Sequence, residues 1–68
     1  MTTVAKVIEI SASSSKGIED AVTGGLKKAN RTVKKIKGAW LNEINVVTAD
    51  DGSVLEWRVN MRISFLVD

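Results

Sequence analysis

Three strand patterns and a single long helical pattern share a chain of 68 residues, and the strand patterns carry apolar side chains on both faces. One helix blankets only one side of a three-stranded sheet, so the second face calls for cover from elsewhere. A chain of this length forms one domain, spanning 1–68, and at about 60 residues only roughly 60% of the unfolded surface leaves water on folding. Small scaffolds make up the shortfall with disulfides, metal or oligomerisation. The sequence contains no cysteine and no histidine, so self-association is the remaining route, and the function is expected to lie between copies of the chain.

The missing histidine and cysteine also remove Ser-His-Asp and Cys-His catalysis, thiolate redox chemistry and the usual zinc ligand sets. Carboxylate pairs, a lysine nucleophile or an oxygen-ligated Ca²⁺ or Mg²⁺ survive that exclusion, but no Asp-x-Asp-x-Asp-Gly loop and no Gly-rich Walker pattern occurs. The expectation is that the protein is not an enzyme and holds no metal. No apolar run approaches the ~20 residues that span a bilayer, and Met1-Thr2-Thr3-Val4 lacks the apolar core of a signal peptide. A cytoplasmic protein with no membrane partner is expected. The net charge of +2 is too small to imply nucleic-acid affinity by itself.

Val4 to Ile10 is a β-branched run with only Lys6 and Glu9 polar, the pattern of a buried strand. The tract Ser11-Ala12-Ser13-Ser14-Ser15 should break it, with Ser14 as helix N-cap and Glu19 and Asp20 in the first turns, where anions suit the helix dipole. Ile18, Val22, Leu26, Ala29, Val33 and Ile36 then recur at steps of three and four, which predicts an amphipathic helix of about five turns. Gly24 and Gly25 inside it cost roughly 1 kcal/mol each against Ala, a cost that a tight backbone approach would explain. Lys34, Lys35 and Lys37 crowd the expected last turn, and Gly38 is the expected stop. A second strand is expected from about Ala39 to Val47, then a hairpin turn at Ala49–Ser53 with an Asp-Gly pair. In the third strand Leu55, Trp57, Val59, Met61, Ile63 and Phe65 alternate with Glu56, Arg58, Asn60, Arg62 and Ser64. One face is therefore core, with the helix against it, and the other is polar.

The stretch Val7-Ile8-Glu9-Ile10, then Ser13-Ser14, Gly17, Ala21, Leu26, Ala29 and Thr32, with the closing Arg58-Val59, Met61 and Ile63-Ser64-Phe65, resembles the dodecin family over nearly the whole chain. The resemblance implies an α+β fold: a β-α-β-β subunit whose three-stranded antiparallel sheet wraps one helix, twelve copies closing into a hollow sphere. It also implies a non-enzymatic binding and storage protein. Family members hold pairs of flavin rings between tryptophans of symmetry-related subunits, while a glutamine on the last strand hydrogen-bonds the ring edge. Carried ungapped from Leu26 through Ala29 and Thr32, the family tryptophan falls on Gly38 and the family glutamine on Arg58. Trp40, two residues on, shares the face of position 38 by strand period; two extra residues after the helix would put Trp40 itself in the stacking role. The cofactor-binding candidates are thus Gly38, Trp40 and Arg58, and the cofactor a flavin (riboflavin, FMN or FAD) with weakened or altered affinity.

Each candidate has a plainer reading. Trp40 either stacks on a ligand or packs between subunits, whereas Trp57 alternates with core residues and reads as core. Arg58 has five donors and no acceptor, so it cannot fully replace an amide. It can donate to ring carbonyls, stack, or hold a phosphate, which admits an anionic ligand; otherwise it pairs with Glu56, Glu43 or Glu9 of another subunit, and Arg62 shares its environment. The basic run Lys27, Lys28, Arg31, Lys34, Lys35 and Lys37 has no interleaved aromatics, which favours a solvated helix face over an RNA-binding one. Asp50-Asp51 reads as turn chemistry rather than a cation site. The expected partner is the chain itself. The alternative to a flavin-binding dodecamer is a flavin-free structural, ion-binding or anion-binding cage.

Overall fold

The computed structural model describes residues 2–67. Its elements run β1 (Val4–Ser14), α1 (Ile18–Ala29), β2 (Ile36–Thr48) and β3 (Val54–Val67). The three strands form one antiparallel sheet in the order β1-β3-β2. The architecture is the expected α+β one, β-α-β-β with a single helix on the sheet. The most regularly alternating strand, β3, takes the middle, where both of its edges are paired.

β1 is longer than expected, because its serine tract continues the strand instead of breaking it. Ser11, Ser13 and Ser14 stand opposite Asn60, Arg58 and Trp57; pairing with β3 overrides the weak strand propensity of serine. Ser14 consequently is not the N-cap. Gly17 occupies that position at φ 154°, a region open essentially to glycine alone. The Ser14 hydroxyl instead donates to Asp20 Oδ2 at 2.6 Å and accepts from the Lys16 backbone N–H at 3.0 Å, tying the strand end to the first helical turn.

The helix ends at Ala29, with Asn30 as its C-cap, seven residues before the expected Ile36. Thr32 and Val33, β-branched and poor at extending a helix, lie in the turn that follows, and Lys35 turns the chain at φ 62°. Ile36 belongs to β2, opposite Phe65. Of the lysines expected to complement the helix dipole, Lys34 donates from Nζ to the Asn30 carbonyl at 2.7 Å and acts there, while Lys37 sits at an irregularity early in β2. The hairpin forms as expected. Gly52 has φ 88°, and its N–H donates to the Ala49 carbonyl at 2.9 Å.

Ala21, Val59, Met61 and Ile63 are buried, with Ile10, Ala12, Ile18 and Val22 packed about this core. The helix rests on β1 and β3. Gly25 makes that contact close: a Cβ there would lie 2.8 Å from the Ala12 Cβ and 3.0 Å from the Met61 methyl. Gly24 has no such role, since a Cβ there would meet nothing within 4 Å.

Twelve helical residues span about 18 Å, whereas the 14 residues of β3 span about 46 Å, and the molecule is 56 Å long. The helix therefore covers less than half of one sheet face. Leu41, Ile44 and Val46, the partners of Met61, Val59 and Trp57, point to the helix side but lie beyond its reach, 45%, 55% and 42% exposed. Trp57 is on this core face, half-buried. Uncovered apolar side chains thus occur on both faces: Leu41, Ile44 and Val46 of β2 with Val4, Leu55 and Val67 on the helix face, and Val7, Trp40 and Val54 on the opposite one.

Candidate functional site

The face of the sheet turned away from the helix is built by register. Along β3 it presents Arg58, Asn60, Arg62 and Ser64, flanked on β1 by Ser13, Ser11, Glu9 and Val7 and on β2 by Asn45, Glu43, Trp40 and Gly38. Most of it is polar. Its apolar end is formed by Val7, 48% exposed, and Trp40, 56% exposed. These two and Arg62 line an open concavity of ≈ 300 Å³.

Gly38 and Trp40 pair with Ser64 and Arg62 without an intervening irregularity, so both face this surface, as strand period required. The space above Gly38 is open: a Cβ there would find only the Ser64 hydroxyl, at 3.8 Å. Arg58, by contrast, stands four residues from Arg62 along β3, about 13 Å away, opposite Asn45 and Ser13. It lines a separate, smaller hollow of ≈ 140 Å³ with Ser11, Glu43, Asn45 and Asn60. The residue beside Trp40 is Arg62. Sequence reasoning placed Arg62 in the shared environment of Arg58 and could not see which arginine meets the indole, because that depends on the strand register.

The two arginines also differ in their partners. Arg58 Nε donates to Glu56 Oε1 at 3.4 Å, an ion pair on one strand. A hydrogen bond from the Ser13 hydroxyl and, after it, the Arg58 guanidinium hold the Glu56 carboxyl below its ordinary value. Arg62 stands opposite Glu9, but Glu9 Oε2 accepts from Asn42 Nδ2 at 3.3 Å, across β3. No ion pair or hydrogen bond engages the Arg62 side chain among the described residues. The surface therefore carries one guanidinium in an ion pair and one whose donors no described residue engages, the latter beside an aromatic plate with the Glu9 carboxylate across the strand.

Elsewhere, a groove of ≈ 440 Å³ runs between β1 and the helix, floored by small residues such as Ala12, Gly24 and Gly25; it offers no aromatic plate to a planar ligand. The Asp51 carboxylate accepts from the Ser53 hydroxyl at 2.7 Å and the Ser53 N–H at 2.9 Å, which lower its pKa, so it serves the turn. Among the described residues no group of three acidic side chains converges as a metal site, and no helix is long and apolar enough to cross a membrane.

The Dodecin family model matches residues 4–68. Among solved structures, dodecin from Streptomyces davaonensis superposes with a TM-score of 0.93 at 24% identity, covering 100% of this chain and 98% of that one. A mutant of Thermus thermophilus dodecin gives a TM-score of 0.91 at 25% identity, covering 98% of each chain. The calcium dodecin of Mycobacterium tuberculosis, described as a calcium-chelating immunodominant antigen with a novel calcium-binding site, gives 0.81 at 26% identity, covering 96% of this chain and 91% of that one. No match is found among curated proteins.

Proposed function

The chain belongs to the dodecin family, and from that premise we propose that it is a non-enzymatic small-ligand binding and storage protein, assembled as a hollow homododecamer whose cavities between copies take a flavin or a related planar molecule. The observation that carries this reading is the exposed indole of Trp40 beside Arg62 and Val7. An aromatic ring offered to solvent with an apolar wall and a cation next to it suits a planar ligand, which gains stacking and area burial together.

The residues fit a flavin in part. Trp40 supplies a plate and Gly38 leaves room above the sheet. Arg58 is a donor only and is held by Glu56, so it offers no acceptor to the mixed donor and acceptor edge of an isoalloxazine. Affinity for flavin is accordingly weakened or altered relative to a site with a second tryptophan and an amide. Self-association is supported by the apolar surface of β2, where Leu41, Ile44 and Val46 are exposed in the single chain. Closed symmetric assembly is the usual way for such a patch to be removed from water.

A flavin-free cage that binds ions is the second reading, favoured by the Arg58–Glu56 ion pair and by a relative whose description names calcium. Titration of riboflavin and FMN with the purified protein, read by quenching of flavin fluorescence, separates the two. Quenching that Trp40→Ala abolishes, with the assembly mass unchanged in a native mass spectrum, supports flavin binding. Flavin fluorescence that stays constant with protein in excess removes it.

A further inference from the structure

We infer that Arg62, not Arg58, selects the ligand of this surface, and that the ligand it selects is an aromatic anion: a flat ring against Trp40 with a phosphate or carboxylate on the Arg62 guanidinium. The inference rests on the reading of the Trp40 surface as a ligand site. It adds a specificity-determining residue and the charge of the ligand.

Three observations carry it. Trp40 and Arg62 are cross-strand neighbours, and side chains directly opposite in an antiparallel pair stand within about 5.5 Å at Cβ. A ring lying on the indole thus places its substituents within reach of the guanidinium. Arg58 lies in another hollow and is already neutralised by Glu56, while Glu9, the acid opposite Arg62, is engaged by Asn42. Of the two, Arg62 has its guanidinium donors unclaimed among the described residues, so a ligand anion that sits closer than the Glu9 carboxylate can take them. Finally, the third wall is Val7, which offers no hydrogen bond, so the polar recognition in this concavity falls to one donor-only cation. A donor-only group rewards an acceptor-only ligand group, and phosphate and carboxylate are the matching pair.

The test uses two pairs of probes that differ in charge while keeping the ring: riboflavin against FMN, and 1-naphthol against 1-naphthyl phosphate, each titrated calorimetrically into the assembled protein at low salt. A charge-assisted hydrogen bond contributes about 1.5–3 kcal/mol, so the phosphorylated member of each pair is expected to bind about 10- to 100-fold more tightly, with the ratio falling as salt rises. Arg62→Gln should collapse both ratios toward one. Arg62→Lys should keep part of the preference, and Lys27→Gln, on the helix, should change neither ratio. Light scattering confirms that each variant keeps the parent mass. Equal binding of charged and neutral members overturns the inference, as does a phosphate preference that survives Arg62→Gln. Binding of 1-naphthyl phosphate through Arg62 without any binding of either flavin would remove the flavin reading and leave this one standing.

Discussion

Gly25 and Ala12 stand so close that a Cβ on the glycine would lie 2.8 Å from the alanine Cβ. The contact sets the height of the helix above the sheet, and neither partner can yield cheaply, since one sits on the helix backbone and the other in β1 beside Val59. Gly25→Ala should lower stability by up to about 2 kcal/mol, because overpacking costs about 1–3 kcal/mol and the better helix propensity of alanine returns about 1 kcal/mol. Gly24→Ala meets open space and should stabilise by up to about 1 kcal/mol. Thermal melts at one fixed protein concentration check both, and equal effects of the two substitutions would refute the packing account.

The room above Gly38 predicts a gain of function. Among the described residues Ser64 Oγ, at 3.8 Å, is the only neighbour a Cβ would meet within 4 Å, and the backbone there has no positive φ, so Gly38→Trp should be accommodated. A second aromatic plate is worth about 0.5–1.5 kcal/mol beyond its area, and riboflavin binding should tighten by about tenfold. Unchanged affinity in a folded, assembled Gly38→Trp variant would contradict the placement of the ligand on this face.

The uncovered apolar side of β2 predicts a route to dissociation. Ile44 is 55% exposed in the single chain, opposite the fully buried Val59. If neighbouring copies cover it, Ile44→Lys buries an unpaired charge at every interface, which costs several kcal/mol each on the order expected for an uncompensated buried ion. Gel filtration should then show a particle much smaller than that of the parent chain. Retention of the parent mass would exclude Ile44 from the interface.

Acid stability should depend on two carboxylates. Hydrogen bonds from Ser53 lower the pKa of Asp51 from its ordinary 3.8, and the Ser13 hydroxyl and then Arg58 lower that of Glu56 from 4.5. Groups held below their unfolded values stabilise the fold fully at higher pH, and the contribution drains away as pH falls below about 4.5 and through the lowered values. Asp51→Asn and Glu56→Gln should therefore lower the melting temperature at neutral pH slightly and leave a shallower decline between pH 5 and pH 2, roughly the window of ordinary carboxylate titration. Parallel melting profiles for parent and variants across that range would count against the assignment.

Much of this molecule was legible in its residues because the signals are periodic and local. The alternation from Leu55 to Phe65 located β3 and its core face, and the Asp-Gly pair located the hairpin, since each depends on side-chain direction or permitted φ alone. The helix start and end were misread for one reason. The tract from Ser11 to Ser15 looks like a breaker and Ile36 falls in helical phase, until β3 supplies hydrogen-bonding partners that make extended backbone the better state for Ser11–Ser14 and Ile36. The candidate site shows the same division. That Gly38 and Trp40 share a face followed from strand period, but which arginine stands beside the indole required the pairing of β2 with β3.

Taken by itself, the order of residues determined the fold class, the central strand, the turn chemistry and the family pattern, because hydrophobic period and glycine geometry are properties of short segments. Only the tertiary structure decided that Leu41, Ile44 and Val46 of β2 lie beyond the reach of the helix, that Gly25 rather than Gly24 meets the sheet, and that Arg62, with no ion pair among the described residues, stands next to Trp40. Those outcomes rest on register and on the reach of a 12-residue helix across much longer strands, and these are relations between segments distant in sequence that no local pattern encodes.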